Sequence, residues 1–148
     1  MAREKQIIEC VPNFSEGRNK DVIKQITDEV ERVKGVKLLD VDPGEATNRT
    51  VVTFVGEPSV VVEAAFRCVK KAAQLIDMRQ HHGAHPRMGA TDVCPLIPVA
   101  GITLEECAAL ARRVEVVLRL KFVAIKKSRA PTAVQPVRAN CSSHSRAP

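Results

Sequence analysis

Apolar positions recur along this chain with two different periods, and the switches between them mark out the elements. Residues 6–11 are a short apolar run that stops at Pro12 and predict a first strand. Over residues 19–33, Val22, Ile23, Ile26, Val30 and Val33 fall at helical spacing, with Asn19 or Asp21 near the N-cap and Gly35 where a glycine closes a helix. Residues 36–41 predict a second strand, stopped by the turn signal Asp42-Pro43-Gly44. Residues 49–56, rich in Thr and Val, predict a third strand paired antiparallel with the second. Pro58 suits the first turn of a long helix that runs to about Ile76 with Val61, Ala64, Ala65, Cys68 and Ala72 on its apolar side. After a histidine-rich loop, residues 91–99 predict a fourth strand. Thr103-Leu104-Glu105-Glu106 then has the form of a capping box that opens a helix through Ala111 and beyond. Residues 118–125 either continue that helix or form an edge strand.

The order β-α-β-β-α-loop-β-α, with a hairpin between two helical crossovers, predicts an α+β fold. It is the split β-α-β sandwich called ferredoxin-like, a four-stranded sheet with two helices packed on one face. Residues 1–113 form the expected subdomain, and 114–148 a divergent basic tail. From Ser128 onward that tail is polar, punctuated by proline and free of acidic residues, which predicts disorder.

Composition sharpens this picture in three places. At 148 residues the chain is one domain's worth, and with no Trp or Tyr its core is aliphatic and offers little stacking surface for single-stranded nucleic acid. The net charge of +6 is not spread over the body: residues 1–113 carry 16 basic and 16 acidic side chains, whereas 114–148 carry 7 basic residues and only Glu115. Nucleic-acid binding is therefore confined to a salt-sensitive tail at most, and is not expected. Five cysteines (Cys10, Cys68, Cys94, Cys107, Cys141) form no CxxC pair and no zinc pattern, and no apolar run has the length of a leader or a membrane span. Reduced thiols in a soluble cytoplasmic protein are the expectation.

The candidate chemistry lies in His81-His82-Gly83-Ala84-His85-Pro86-Arg87-Met88-Gly89-Ala90. Pro86 pushes His85 toward extended backbone, so its imidazole projects from a loop, and an imidazole suits proton transfer near neutrality. His85 is the expected catalytic base. His82 and His85 are three residues apart, but Gly83 and Pro86 break any helix that would place them on one face, so no metal is expected. His81 and His82 are expected to be exposed or to line the way in. Asp42 either fixes its turn or orients His85 and stabilises developing positive charge; Asp40 is a weaker candidate on the same strand face. Arg49 and Arg87 each either pair bidentately with a substrate carboxylate or form structural salt bridges. Asn13 either bonds substrate or fixes its turn. The cysteines are expected to be small buried hydrophobes.

Three blocks in order resemble one family. They are Glu9-Cys10-Val11-Pro12-Asn13-Phe14-Ser15-Glu16-Gly17-Arg18; Leu39-Asp40-Val41-Asp42 with Thr47-Asn48-Arg49-Thr50; and Ile76-Asp77-Met78 with His85-Pro86-Arg87-Met88-Gly89-Ala90 and Asp92-Val93-Cys94-Pro95. Over about residues 5–113 the chain resembles the N-terminal subdomain of the formiminotransferases. That resemblance implies transfer of a formimino group from N-formimino-L-glutamate to tetrahydrofolate as co-substrate, a cytoplasmic step of histidine degradation often fused to a cyclodeaminase. It also places the family's catalytic histidine on His85. Two departures stand out. Ala84 replaces the glutamate usual before that histidine, which either lowers the imidazole pKa or removes an orienting contact. Beyond about Arg113 the resemblance fades, so only one wall of a folate site lying between two subdomains is expected here, as in a truncated, alternatively spliced or frame-shifted product. The alternative reading is a non-catalytic subdomain that binds folate or dimerises, either with itself or with a second formiminotransferase subdomain.

Overall fold

The computed structural model describes residues 3–86 and 88–126, so Arg87 and most of the expected tail lie outside the described residues. The fold is α+β, an antiparallel sheet with three helices. In chain order the elements are β1 (Ile7–Cys10), β2 (Asn13–Phe14), α1 (Lys20–Glu31), β3 (Lys37–Gly44), β4 (Arg49–Gly56), α2 (Pro58–Leu75), β5 (Thr91–Val93), β6 (Leu96–Ala100) and α3 (Leu104–Lys126). β4 is the hub: β3 pairs along one edge, and β1 and β2 follow one another along the other. β6 then pairs with β1, and β5 with β2.

The expected four strands are thus six strand segments, a correction with one cause. The fourth expected strand breaks at Pro95, and β2 adds a further segment just past Pro12, where the first was expected to stop; neither proline has an N–H for the ladder. The two breaks lie side by side: Val11 N–H donates to the Pro95 carbonyl (3.3 Å), and Val52 N–H to the Pro12 carbonyl (3.0 Å). A second difference concerns the hairpin. The expected turn at Asp42-Pro43-Gly44 belongs to β3, and the chain reverses at residues 45–48 instead. β3 pairs only with β4, so Pro43 sits on an edge strand where a missing donor costs little. Asn48 closes the reversal at φ 49°, a left-handed conformation that asparagine tolerates.

The helix signals fall where the periodicity places them. Asn19 Oδ1 accepts from the N–H groups of Asp21 (3.1 Å) and Val22 (3.3 Å) at the start of α1. At the start of α3, Thr103 N–H donates to Glu106 Oε2 (2.8 Å) and Glu106 N–H to Thr103 Oγ1 (3.2 Å), a complete capping box. Residues 118–125 continue this helix rather than forming an edge strand, and α3 passes through position 113 without a break.

Strand alternation decides the layers. Thr50, Val52 and Phe54 of β4, with Ile8 and Cys10 of β1, point into a core filled by Ile26 and Val30 of α1, Val61, Ala65 and Cys68 of α2, and Cys107, Val114 and Leu118 of α3. The opposite sheet face stays open, and Ile97 and Val99 of β6 are exposed. Phe54 is fully buried at the centre of the core. Phe54→Ala is expected to destabilise the chain by about 3–5 kcal/mol, the cost of burial lost plus a cavity. Urea denaturation checks this; a change under about 1 kcal/mol would mean the core collapses around the gap.

Candidate active site

The loop between α2 and β5 carries all three of its histidines past the end of the β3–β4 hairpin. At its start the Asp77 carboxylate accepts from the Arg79 N–H (3.0 Å) and pairs with the Arg79 guanidinium (2.7 Å). Those bonds hold the Asp77 carboxyl down at about 2. A carboxyl lowered in the folded state contributes stability above its unfolded value, and that contribution is lost as pH falls through the folded value. Carbon-detected NMR titration should therefore find Asp77 ionised down to about pH 2. An ordinary midpoint near 3.8 would show the turn to be open in solution.

Two buried carboxylates tie the loop to the sheet. Glu16 Oε1 accepts from the N–H groups of Arg18 (2.9 Å) and Asn19 (2.8 Å), and its Oε2 lies 3.4 Å from His81 Nε2. Asn48 completes this anchor. Its Oδ1 accepts from Gly17 N–H (2.8 Å), and its Nδ2 donates to His81 Nδ1 and to the His82 carbonyl, both at 3.2 Å. Because an amide nitrogen only donates, His81 Nδ1 accepts, and the ring proton sits on Nε2 facing Glu16. His81 is therefore a half-buried anchor, whereas His82 is exposed as expected. The second carboxylate is Asp92 on β5, whose Oδ1 accepts from the N–H groups of Met88 (2.9 Å) and Gly89 (3.3 Å) and from Ser15 Oγ (3.4 Å). Ser15 also receives the loop directly, donating Oγ–H to the Gly89 carbonyl (2.7 Å) and N–H to the Ala90 carbonyl (2.9 Å).

Between these anchors His85 stands exposed at the crest. Arg49, the first residue of β4, reaches it: Nη1 lies 2.8 Å from His85 Nε2, while His85 Nδ1 lies 2.6 Å from the Pro86 carbonyl. A guanidinium has no acceptor, so Nε2 offers its lone pair and Nδ1 carries the proton, which describes a neutral imidazole. The other end of Arg49 is buried, with Nε 3.8 Å from Asp92 Oδ2 and without a hydrogen-bond partner among the described residues.

The structure thus joins His85 and Arg49. Asp42 and Asn13 are near neighbours by register: each pairs with Val51, so both occupy the open face, two positions along β4 from Arg49. Asp42 is exposed, and among the described residues no hydrogen bond links it to His85. Asn13 is buried and donates Nδ2–H to the Val11 carbonyl (3.2 Å), the turn-fixing contact. Arg87 lies outside the described residues. Glu16, Asn48 and Asp92 carry the loop, yet sequence reasoning did not single them out. They stand inside the resembling blocks, but beside its near neighbours each is fixed by a partner distant in the chain: Glu16 by His81, Asn48 by Gly17 and Asp92 by Ser15.

The thiols of Cys10, Cys68, Cys94 and Cys107 are buried, and Cys141 lies outside the described residues. Cys10 and Cys94 bring their sulfurs to 3.7 Å, and burial pushes the Cys10 and Cys68 thiols well above the usual range. Among the described residues no group of three or more His, Cys, Asp or Glu side chains is placed to hold a metal, and no helix is long and apolar enough to cross a membrane.

An antiparallel sheet with an open face, edged by the His85 imidazole and the Arg49 guanidinium and tied down by the buried carboxylates of Glu16 and Asp92, makes up the candidate site of this α+β domain. Residues 7–125 match the family model described as the formiminotransferase domain, N-terminal subdomain, and the chain belongs to that family. Formimidoyltransferase-cyclodeaminase of Rattus norvegicus is 57% identical over 107 residues, 72% of this chain and 20% of the relative. The Sus scrofa protein of that name is 59% identical over 107 residues, with the same coverage. Glutamate formimidoyltransferase of Streptococcus pyogenes serotype M1 is 49% identical over 109 residues, 74% of this chain and 36% of the relative. The chain spans about a fifth to a third of the length of these relatives.

Proposed function

We propose that this chain supplies the His85 half of a formiminotransferase site, moving the formimino group of N-formimino-L-glutamate to N5 of tetrahydrofolate. The observation that carries the reading is the His85–Arg49 pair, set on the residue blocks that the chain shares with the formiminotransferases. N5 attacks the formimino carbon and loses a proton as the tetrahedral adduct forms. His85 Nε2 accepts that proton and returns it to the departing glutamate nitrogen, so the products are glutamate and 5-formimidoyltetrahydrofolate. Arg49, with Arg87, takes a carboxylate of glutamate or of the folate tail, and in doing so uncovers Nε2. Asp42 faces the cationic adduct from across the hairpin, and Asn13 supports the row beneath it. No metal takes part in this scheme. The setting is cytoplasmic histidine degradation and one-carbon metabolism.

In the same reading the sheet is ferredoxin-like. Taking β1 with β2 and β6 with β5 as single strands broken at proline, four strands run in the split β-α-β order. The division at residue 113 separates a charge-balanced body from a basic segment by composition. The open sheet face with Ile97 and Val99 exposed favours pairing with a second formiminotransferase subdomain, or with another copy of this chain. A chain that pairs and binds folate without turnover is the second reading, favoured by the exposed Ile97 and Val99 on the open face.

Incubation of the purified chain with both substrates, followed by mass detection of 5-formimidoyltetrahydrofolate, tests the proposal. Product above the buffer rate is expected. Folate binding with product at the buffer rate supports the second reading, and neither binding nor product rejects both.

A further inference from the structure

Asp92 serves two contacts that meet at His85. Its side chain is buried on β5, and its two oxygens face different neighbours. Oδ1 collects the N–H groups of Met88 and Gly89, three and four residues past His85, and so fixes the backbone on the far side of the crest. Oδ2 faces the buried Arg49 Nε at 3.8 Å, an N–H with no hydrogen-bond partner among the described residues. The guanidinium that this carboxylate seats then presents Nη1 to His85 Nε2 at 2.8 Å. Carboxylate, guanidinium and imidazole form one chain from a buried strand to an exposed loop.

We infer that Asp92 is a positioning residue: through Arg49 it holds His85 in the Nδ1–H tautomer, with the Nε2 lone pair on Arg49 Nη1. The protonation of one imidazole nitrogen is set by the bond the other makes. Arg49 can only donate, so its presence at Nε2 keeps the proton on Nδ1, where the Pro86 carbonyl receives it at 2.6 Å. Without the negative charge of Asp92, a mostly buried guanidinium loses its counter-charge and turns toward water, and His85 loses the donor that selects its tautomer. The functional meaning of this arrangement rests on His85 being the base. The tautomer itself is a property of the folded chain, active or not.

The test uses the full nitrogen-15-labelled chain at a pH where imidazole is neutral, with long-range nitrogen–proton correlation reading the His85 ring. The wild-type ring is expected mainly as Nδ1–H. Asp92→Asn keeps an acceptor for Met88 and Gly89 but removes the charge. It should lower the Nδ1–H fraction at least about two-fold, while amide exchange at Met88 and Gly89 stays within about two-fold. Arg49→Ala removes the donor from the other end and should shift the tautomer in the same direction, which keeps the inference testable if the Asp92 variant does not fold. A wild-type ring found mainly as Nε2–H overturns it. So does an unchanged tautomer in either folded variant, because a purely structural Asp92 would loosen the loop without touching the ring. Loss or retention of transfer in a His85 variant bears on the catalytic reading alone.

Discussion

His85→Ala is expected to lower kcat/KM for formimino transfer by about 10²–10⁴-fold, the range removed with a positioned acid–base group. The ring is exposed, and its bonds within the fold are to the Arg49 side chain and the Pro86 carbonyl. Truncating it should therefore change stability by less than about 0.5 kcal/mol, as for surface substitutions. That separation makes the variant informative. Steady-state transfer measured beside urea denaturation should show a collapse of rate without a shift in unfolding midpoint. Transfer within about three-fold of wild type would remove His85 from the chemistry. If only KM rose, binding rather than proton transfer would be its contribution.

Gly17→Ala is the second large effect and acts from beneath the site. A Cβ at Gly17 would lie 2.3 Å from the Gly44 carbonyl oxygen, 2.5 Å from Arg49 N and 2.9 Å from Arg49 O. All three atoms are backbone, at the end of the β3–β4 hairpin, and no side-chain rotation makes room. Overpacking of this kind costs about 1–3 kcal/mol. The shift also pulls Gly17 N–H from Asn48 Oδ1, a buried bond whose loss adds about 1–3 kcal/mol. A destabilisation of about 3 kcal/mol or more is expected in urea, together with faster amide exchange through residues 81–90, because Asn48 is also the partner of His81 and His82. A loss below about 0.5 kcal/mol would show that the hairpin end moves aside freely, and that Gly17 is not required there.

These two residues also mark how much of the molecule is legible in its sequence. The helices were readable from local signals: the 3.6-residue period of Val22, Ile26 and Val30, the Asn19 cap and the Thr103–Glu106 box act within a few residues. Strand existence was readable for the same reason, but continuity was not. Pro12 and Pro95 interrupt the sheet side by side, a long-range fact. Pro43 looked like a turn and stays in β3, because edge position, which removes the need for its N–H, depends on topology. At the site, His85 was visible from its proline and its block, and Arg49 from its chemistry. The bond between them was not visible, since it joins residues 36 apart. Glu16, Asn48 and Asp92 were hidden for the same physical reason: a buried polar group is defined by the partners that satisfy it, and these partners come from other elements. His81 shows the consequence most clearly. An expectation of exposure gave way to a tautomer fixed between Glu16 and Asn48.

Ala84 bears on the same point. Its N–H donates to the Ala46 carbonyl at 3.3 Å, so the backbone beside His85 is tied to the β3–β4 reversal whatever side chain stands there.

In the proposed reading tetrahydrofolate binds beside His85 and Arg49. Titration of tetrahydrofolate into the nitrogen-15-labelled full chain, followed residue by residue, tests it most directly. Saturable shifts confined to His85, Arg49, Asp42, Asn13 and their immediate neighbours are predicted, with Lys24 and Arg67 on the helical side unmoved. No saturable shift, or shifts centred on the helices, would contradict the account.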